Sequence, residues 1–471
     1  MFKPVIGLEI HCELKTKSKM FCGCPNNSDE TRPNFNVCPV CLGHPGTLPV
    51  INQKAVESVL KLGLAINGEI SPISRFDRKS YFYSDLPKGY QISQYKQPFV
   101  EGGGLKGVKI TRIHLEEDTG ALSHDKGNHT LVDFNRAGVP LMELVTEPDI
   151  KSGEEAVAFA KELQLILRYL DISEANMEKG QMRVEVNISL SQDNEMGTKV
   201  EIKNLNSFKA VKEAVDYEIK RQSEVLEAGE KIIHETRGWD DIKRTTVSQR
   251  GKEQAHDYRY FPEPDLPPLD LAEFNLRELK DSLPELPEEK RIRLSRNYGL
   301  TSAQADILVE NSEAADHFEE AAKKLDKKKT AADYQTLFNY LTSDIFGLMA
   351  EKKIGIKELK FPPSGTAEVI NLIGENKISS RIAKDVLKEM VETGGAPSLI
   401  IESKGLRQIS DVGEIENVVK KIIAENPKAV EDYKKGKENA LQFLIGQAMK
   451  KLKGQANPDI LRKLFGDCLS K

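Results

Sequence analysis

The sequence predicts an α+β protein in which an N-terminal domain rich in antiparallel strands precedes an all-α helical domain and a small helical tail domain. Short apolar–polar alternations, glycines and turn residues dominate residues 1–260, as in sheets with one buried face. From about residue 290 these patterns end and helical periods replace them, as in YQTLFNYLTSDIFGLMAEKK. A length of 471 residues suits about three domains at roughly 150 residues each.

Two breaks in the sequence place the predicted domains at residues 1–290, 291–397 and 398–471. The first break is a cluster of prolines, typical of a stiff linker or a wrapped connector; its members are Pro262, Pro264, Pro267, Pro268, Pro284 and Pro287. The second is a turn signal formed by Gly394, Gly395 and Pro397.

Two helices are predicted to interrupt the first domain. Ser152 and Glu155 form a capping-box pattern before an apolar stripe of helical period. Ser207 begins the second helix, and Gly229 ends it.

Composition limits the class of protein. The net charge of −5 does not predict global attraction to nucleic acid, although local basic patches can still bind it. The sequence has neither an apolar run of about 18 residues nor a leader-like start, so we expect no membrane partner and a cytoplasmic protein. In that compartment, paired cysteines are metal ligands more often than disulfides.

Four cysteines near the N-terminus form the most specific metal pattern. Cys22 and Cys24 are separated from Cys38 and Cys41 by a short loop. Two close cysteine pairs of this kind are the ligand set of a tetrahedral Zn²⁺ site, which is structural because no coordination position stays open. The sequence therefore predicts a zinc loop at residues 22–41.

The strand VIGLEIHCEL places Glu9, His11 and Glu13 on one face and apolar residues, with Cys12, on the other. A solvated strand face explains this segment equally simply. Repetition favours a site: RVEVNISL carries Glu185 in the same alternation, and Glu143 lies within an apolar run. Clustered acids repel one another unless a cation lies among them, and Mg²⁺ prefers oxygen ligands.

Basic and aromatic residues alternate in FDRKSYFYSDLPKGYQISQY, which contains Lys79, Tyr81 and Lys88. Carboxylate-bound metal with nearby lysines is what phosphoryl transfer requires. Each lysine alone is more simply a surface residue. The nearest approach to a P-loop, Gly102–Gly107, is followed by Val108 where lysine is required, so a nucleotide would bind without that motif.

The C-terminal stretch from Lys434 to Lys463 contains eight Lys or Arg residues against two acids. A solvated helix face and a phosphate-binding surface both fit this composition. Lys450, Lys451 and Lys453 lie at its centre.

Several long motifs together resemble the GatB/GatE family, the B subunits of tRNA-dependent amidotransferases. They are IGLEIHCEL, FCGC…CPVCLGHPGTLPV, FDRKSYFYSDLPKGYQISQY, HLEEDTG, VDFNRAGVPLMELVTEPDI, EIKNLNSF, HDYRYFPEPDLPPL and FLIGQAMKKLKGQANP. The resemblance implies a kinase-like cradle as the first domain and a tail domain that binds tRNA. It also implies a heterotrimer with two partner proteins, a glutaminase of the A type and a small protein of the C type.

The implied activity is a ligase reaction. ATP phosphorylates the side-chain carboxylate of Glu-tRNA(Gln) or Asp-tRNA(Asn), and ammonia from glutamine then displaces phosphate to form the amide. The family's Mg²⁺ positions match Glu9, His11, Glu117 and Glu143, and Glu185 lies near a second cation. Lys79 and Tyr81 match its nucleotide-contacting stretch.

Two of the matched acids, Glu185 and Glu117, differ from a simple match to the family. Glu185 stands where other members have Asp, which lengthens the ligand by one methylene. Glu117 is chosen among three adjacent acids by resemblance, whereas alternation from Ile113 and Leu115 places it on the apolar side. The alternative function is a non-catalytic zinc-loop protein that escorts tRNA.

Overall fold

A computed structural model describes residues 2–27, 29–123, 129–192, 196–251, 258–326, 330–406, 412–435, 437–452, 456 and 458–469. The chain forms two compact units, Met1–Pro287 and Glu288–Lys471. The first contains a mixed sheet with helices and the second contains helices, so the α+β prediction is confirmed. The division of residues 288–471 into two domains stays a prediction.

The strands of the first unit are β1 (Lys3–Glu13), β2 (Glu69–Ile70), β3 (Ile73–Ser74), β4 (Asp77–Ser80), β5 (Tyr90–Ser93), β6 (Val100–Glu101), β7 (Gly104–Leu105), β8 (Val108–Glu117), β9 (Ala121–Ser123), β10 (Leu131–Asp133), β11 (Pro140–Thr146), β12 (Met182–Ser191), β13 (Val200–Leu205), β14 (Glu235–Asp240), β15 (Thr245–Gly251), β16 (Phe261–Pro262) and β17 (Leu269–Asp270). Its helices are α1 (Gln53–Ala65), α2 (Gly153–Tyr169), α3 (Phe208–Glu227) and α4 (Leu276–Asp281), with a 3₁₀ turn at Leu271–Glu273.

Ten strands form one sheet in the order β15-β14-β13-β12-β1-β11-β8-β6-β2, with β7 paired to β8. Neighbours are antiparallel except β13 and β14, which are parallel. Apolar side chains of β1, β8, β11 and β12 pack with α1, α2 and α3 in one core, and Cys12 is fully buried there as predicted. Because strand side chains alternate, the polar residues of these four strands share the opposite face.

Both predicted helices in this unit are present. The Ser152 hydroxyl accepts from Glu155 N at 3.2 Å, while the Glu155 carboxylate accepts from Lys151 N rather than from Ser152 N. The motif is therefore a shifted form of the predicted capping box. Ser207 caps α3 by accepting from Ala210 N, and Gly229, with φ +76°, follows its last turn.

The proline-rich segment is a wrapped connector. Its strands β16 and β17 pair with β4 and β3, and Leu266 and Leu271 are buried in the core of the first unit. Pro262 fits β16 because such a short edge strand needs few backbone donors.

The second unit contains helices α5 (Pro287–Tyr298), α6 (Ser302–Val309), α7 (Ser312–Lys323), α8 (Ala331–Asn339), α9 (Phe346–Lys352), α10 (Pro363–Gly374), α11 (Ser380–Thr393), α12 (Pro397–Lys404), α13 (Val412–Glu425), α14 (Pro427–Lys434), α15 (Glu438–Lys451) and α16 (Pro458–Leu469), with a π-helical turn at Tyr340–Ile345 and a 3₁₀ turn at Ile356–Glu358. Gly394, with φ +77°, ends α11, and Pro397 begins α12, as predicted. Residues from Ile415 to Leu469 form a hydrophobic cluster of their own. Among the helices described, none has the length and apolar character needed to cross a membrane.

Candidate active site and cysteine centre

The polar face of the large sheet forms the floor of a cleft of about 750 Å³. Side chains of β1, β8, β11 and β12 line the floor, and residues of β4 and the segment after residue 257 line the wall. Of the predicted site residues, this cleft brings together Glu9, His11, Lys79, Tyr81, Glu143 and Glu185.

Strand register creates a continuous row across the floor of the cleft. His114 on β8 lies opposite Glu143 on β11, Glu143 lies opposite His11 on β1, and His11 lies opposite Arg183 on β12. Directly opposed residues have Cβ atoms about 5 Å apart. Four residues that are distant in sequence therefore meet through backbone pairing alone.

Glu143 is the centre of this row. One of its oxygens, Oε2, lies 3.2 Å from His11 Nε2 and 3.4 Å from His114 Nε2. His11 Nε2 also lies 3.7 Å from Glu9 Oε1 and 3.7 Å from Glu116 Oε1. The cluster thus contains three carboxylates and two imidazoles.

The electrostatic environment couples these groups. Burial disfavours the imidazolium of His11, but Glu143, Glu116 and Glu9 outweigh burial and raise its pKa to about 9. Burial, followed by repulsion from Glu143, raises the pKa of Glu9 to about 7. Burial also opposes the charge of Glu143, yet His114 and His11 hold the pKa of this carboxyl well below its usual range. The carboxylates around His11 therefore favour a positive charge among them.

These pKa shifts predict a pH-dependent stability for the metal-free protein. Because the pKa of His11 is raised, its imidazolium contributes its full stabilisation below about pH 6.5, and this contribution is lost as pH rises through about 9. The shift corresponds to about 3 kcal/mol of unfolding free energy. The raised pKa of Glu9 likewise lowers the stability as pH rises from 4.5 to about 7. In EDTA, the unfolding temperature should fall from pH 6.5 to 9, and His11→Gln should flatten that fall. An unchanged slope in the variant would contradict the assigned coupling.

The placement of Glu117 in the metal cluster is wrong. Glu117 points to the opposite side of β8, where its carboxylate binds Lys88 Nζ and accepts from Ile92 N at 2.9 Å. Glu116 occupies the cleft instead. The physical reason is strand alternation, which already placed Glu117 with Ile113 and Leu115 on the apolar side.

The same alternation contained the signal for three site residues that were not assigned to the site from the sequence. Arg112, His114 and Glu116 share one face of β8, and all three line the cleft. Buried nitrogens of two of them, Arg112 Nε and His114 Nδ1, have no hydrogen-bond partner among the described residues.

Glu185 faces the cleft directly opposite Glu9 on the neighbouring strand. Its carboxylate accepts from Lys203 Nζ at 2.8 Å. Two carboxylates opposed across a strand pair repel each other, and Lys203 offsets part of that repulsion in the absence of a metal ion.

Lys79 and Tyr81 lie on the wall of the cleft near Tyr258 and Tyr260. Lys79 Nζ lies 5.0 Å from the ring centre of Tyr258 and 5.8 Å from that of Tyr81. Burial disfavours the charge on Lys79, but Glu116 and Tyr260 outweigh burial and raise its pKa. Tyr258 and Tyr260 stand in the HDYRYF motif, far along the sequence, and only the fold brings them to Lys79.

The donor set in the cleft fits a divalent cation. Ligand atoms of Glu9, His11 and Glu143 lie within 4.8 Å of one another, and so do those of His114, Glu116 and Glu143. Carboxylates suit Mg²⁺ and Mn²⁺, whereas imidazoles extend the range to other divalent metals.

The four cysteines meet as predicted. The sulfur atoms of Cys22, Cys24, Cys38 and Cys41 lie within 4.8 Å of one another, and Cys38 N donates to Cys41 Sγ at 3.1 Å. This donor set fits one tetrahedral metal ion. Cys22 and Cys41 also line a small cavity of about 60 Å³ with Lys88 and Glu117, so the loop packs behind β8, on the side away from Glu116.

Two protein-family models match most of the chain. A model described as the GatB/GatE catalytic domain matches residues 4–277, and a second described as a GatB domain matches residues 316–469. The chain belongs to the GatB/GatE family. The second match runs across the domain border expected at residue 397.

Members of this family resemble the chain along its whole length. The aspartyl/glutamyl-tRNA(Asn/Gln) amidotransferase B subunit of Crocosphaera subtropica is 47% identical, over 98% of this chain and 97% of the relative. The protein of the same description from Caldanaerobacter subterraneus subsp. tengcongensis is 48% identical, over 100% of both chains. That from Synechocystis is 46% identical, over 100% of this chain and 98% of the relative.

The predicted tRNA-binding lysines of this GatB-type chain have different environments. Lys450, at the end of α15, is exposed, and Lys451 Nζ lies 3.0 Å from both carboxylate oxygens of Glu425. Lys453 lies outside the described residues.

Proposed function

We propose that this chain is the B subunit of a tRNA-dependent amidotransferase and that the sheet-face cleft is its transamidation site. The relatives of nearly equal length support this role. The observation that carries the site is the convergence of Glu9, His11, Glu116 and Glu143 in a cleft with Lys79. This arrangement combines ligands for a cation with a lysine that can approach phosphate.

The proposed reaction has two steps. The side-chain carboxylate of Glu-tRNA(Gln) or Asp-tRNA(Asn) attacks the γ-phosphorus of ATP, so that an acyl phosphate forms and ADP leaves. Ammonia then attacks the acyl carbon, the bond to the phosphate oxygen breaks, and the amide, phosphate and one proton result. Activation is required because a carboxylate is a poor electrophile, and the acyl phosphate divides one difficult step into two easier ones.

The residues have separate proposed roles. Glu9, His11, Glu116 and Glu143 would hold Mg²⁺, with Glu185 beside a second cation. When bound, Mg²⁺ neutralises phosphate charge. Lys79 adds a fixed positive charge near the phosphates, while Tyr81, Tyr258 and Tyr260 orient its ammonium. Positioning and charge neutralisation of this kind are the main sources of catalysis in phosphoryl transfer.

We further propose that the cysteine centre binds Zn²⁺ and stabilises the loop at residues 22–41. The partners are an A-type glutaminase, which supplies ammonia, a small C-type protein, and misacylated tRNA. The location is the cytoplasm.

The test of this function is reconstitution of the chain with its glutaminase partner and its small partner. The complex should convert Glu-tRNA(Gln), Asp-tRNA(Asn) or both to the amidated form in the presence of ATP, Mg²⁺ and glutamine. ADP formation that depends on misacylated tRNA supports the catalytic function. Binding of tRNA without ADP formation would support the escort function instead.

The zinc proposal predicts that Cys38→Ser loses metal and destabilises the first unit. Native protein should contain about one zinc per chain, and the variant should unfold more easily by about 3 kcal/mol, the stabilisation given by a ligand at ~100 times its Kd. Metal analysis and urea unfolding measure both quantities. Cys468→Ser is the control, because Cys468 lies in the separate C-terminal cluster. Native protein with clearly less than stoichiometric zinc would refute the assignment.

The tail proposal predicts that Lys450→Ala weakens tRNA binding by roughly three- to tenfold and lowers the salt dependence by about one ion. Lys451→Ala should have a smaller effect, because Glu425 already holds that ammonium. Filter binding of tRNA at several salt concentrations tests both variants. Unchanged binding by Lys450→Ala would remove this residue from the tRNA surface.

A further inference from the structure

Lys19 is a completely buried lysine beside the cysteine centre. Its side chain has 0% exposure. Its ammonium donates to the Phe134 carbonyl oxygen at 3.2 Å and lies 3.8 Å from Cys41 Sγ. Within the described part of the chain, no carboxylate forms an ion pair with it.

A buried ammonium without an anion is costly, by several kcal/mol in proteins. The cysteines are the anion source within reach of Lys19. Four thiolates around one Zn²⁺ leave a net charge of −2, and Cys41, the cysteine that Lys19 contacts, is buried. The Lys19 ammonium and the negatively charged cysteine centre therefore offset each other's desolvation cost.

We propose that Lys19 is the counter-cation of the zinc–cysteine centre and a positioning residue for Cys41. This inference rests on the proposed zinc assignment. Cys41 Sγ accepts from both Lys19 Nζ and Cys38 N. Two donors on one sulfur fix its orientation and lower its negative charge, as outer-shell partners do in other metal sites.

A glycine turn at Gly138 packs against both Lys19 and Cys41. Gly138 has φ +85°, and a Cβ placed on it would lie 3.5 Å from Lys19 Cδ and 3.4 Å from the Cβ of Cys41. The positive φ requires glycine at this turn, and the turn closes against the aliphatic part of the lysine. Lys19 N also donates to Cys24 O at 2.9 Å, so Lys19 contacts both cysteine pairs.

Backbone hydrogen bonds next to Lys19 connect the cysteine centre to the strands of the cleft. Met20 N donates to Gly138 O at 2.7 Å, and Gly138 N donates to Asp118 O at 2.8 Å. Gly138 lies just before β11, which carries Glu143, and Asp118 follows Glu116 and Glu117. The residue after Lys19 therefore joins the segment before the zinc loop to the strands that present Glu116 and Glu143.

The test compares Lys19→Met with Lys17→Met in the full-length chain. Methionine keeps an unbranched, largely apolar side chain but removes the charge, and Lys17 is an exposed lysine two residues before Lys19. Competition with a chromogenic chelator should show zinc bound about 10- to 100-fold more weakly in Lys19→Met and unchanged in Lys17→Met. In cobalt-substituted protein, the thiolate-to-metal charge-transfer bands of Lys19→Met should move to lower energy, because the sulfur loses a neighbouring positive charge.

Native zinc affinity and native cobalt bands in Lys19→Met would overturn the proposal and reduce Lys19 to a packing role. If Lys19→Met does not fold, Lys19→Arg and Lys19→Gln replace it: the inference requires tighter zinc binding by the arginine variant, and equal affinities contradict it. Absence of zinc from the native chain is a separate result, because it refutes the zinc assignment before any Lys19 variant is compared.

Discussion

Glu143→Gln should reduce ADP formation with misacylated tRNA by about 100- to 1,000-fold, the loss typical of removing one preorganised electrostatic group from an active site. Glutamine keeps the shape of the side chain and removes its charge. The glutaminase activity of the same complex should persist, since the proposed function places its active site on a partner chain. Steady-state ADP release and amidated tRNA yield measure the effect.

The expected size of this loss follows from the position of Glu143. One of its oxygens contacts both His11 and His114 at 3.2 and 3.4 Å, and it belongs to both groups of side chains that can hold a metal ion. No other carboxylate among the described residues has this shared position. Removing its charge therefore weakens the whole cluster rather than one ligand.

Glu147→Gln is the matched control for this experiment. Glu147 follows the same strand, but its carboxylate accepts from Thr111 Oγ1 outside the cleft. It should leave ADP formation within about twofold, because surface substitutions away from special features change little. A Glu143→Gln complex as active as the Glu147→Gln complex would remove Glu143 from the site.

The second large effect is a contrast between two adjacent residues. Glu116→Gln should lower ADP formation by about 100-fold, because its carboxylate lies in the cleft, 3.7 Å from His11. Glu117→Gln should instead destabilise the first unit by about 3 kcal/mol, since it leaves the buried ammonium of Lys88 without its charged partner. Kinetics with ATP and misacylated tRNA, together with urea unfolding of both variants, measure the contrast.

The reverse pattern would contradict the structure. A Glu117→Gln variant that is stable but forms no ADP, beside a Glu116→Gln variant that is active, would restore the placement suggested by resemblance alone. Both variants should be assayed well below their unfolding temperatures, so that loss of fold is not read as loss of chemistry.

Strand alternation explains why much of the site was predictable. The pattern of β1 placed Glu9 and His11 together on one face and Cys12 in the core, and the structure agrees on both points. The four cysteines likewise lie within a single loop, so their spacing alone predicts that they meet. Local periodicity and spacing encode such features directly.

The remainder depends on pairing between distant segments. The register that places His114, Glu143 and His11 in one row joins three strands separated by many residues. The alternation within each strand specifies which side chains share a face, not which strands are neighbours. The contact of Lys79 with Tyr258 has the same origin. Glu117 shows the opposite case, since resemblance assigned it to the metal while alternation placed it correctly on the buried side with Lys88.

Activation of the aminoacyl carboxylate in the cleft around Glu143 is the proposed role of this chain. The most direct measurement is ADP formation by the reconstituted complex with ATP and misacylated tRNA, before glutamine is added. The native complex should release ADP only when misacylated tRNA is present, and the Glu143→Gln complex should release almost none. Release of ADP at the native rate by the Glu143→Gln complex, still dependent on misacylated tRNA, would contradict this role of the cleft.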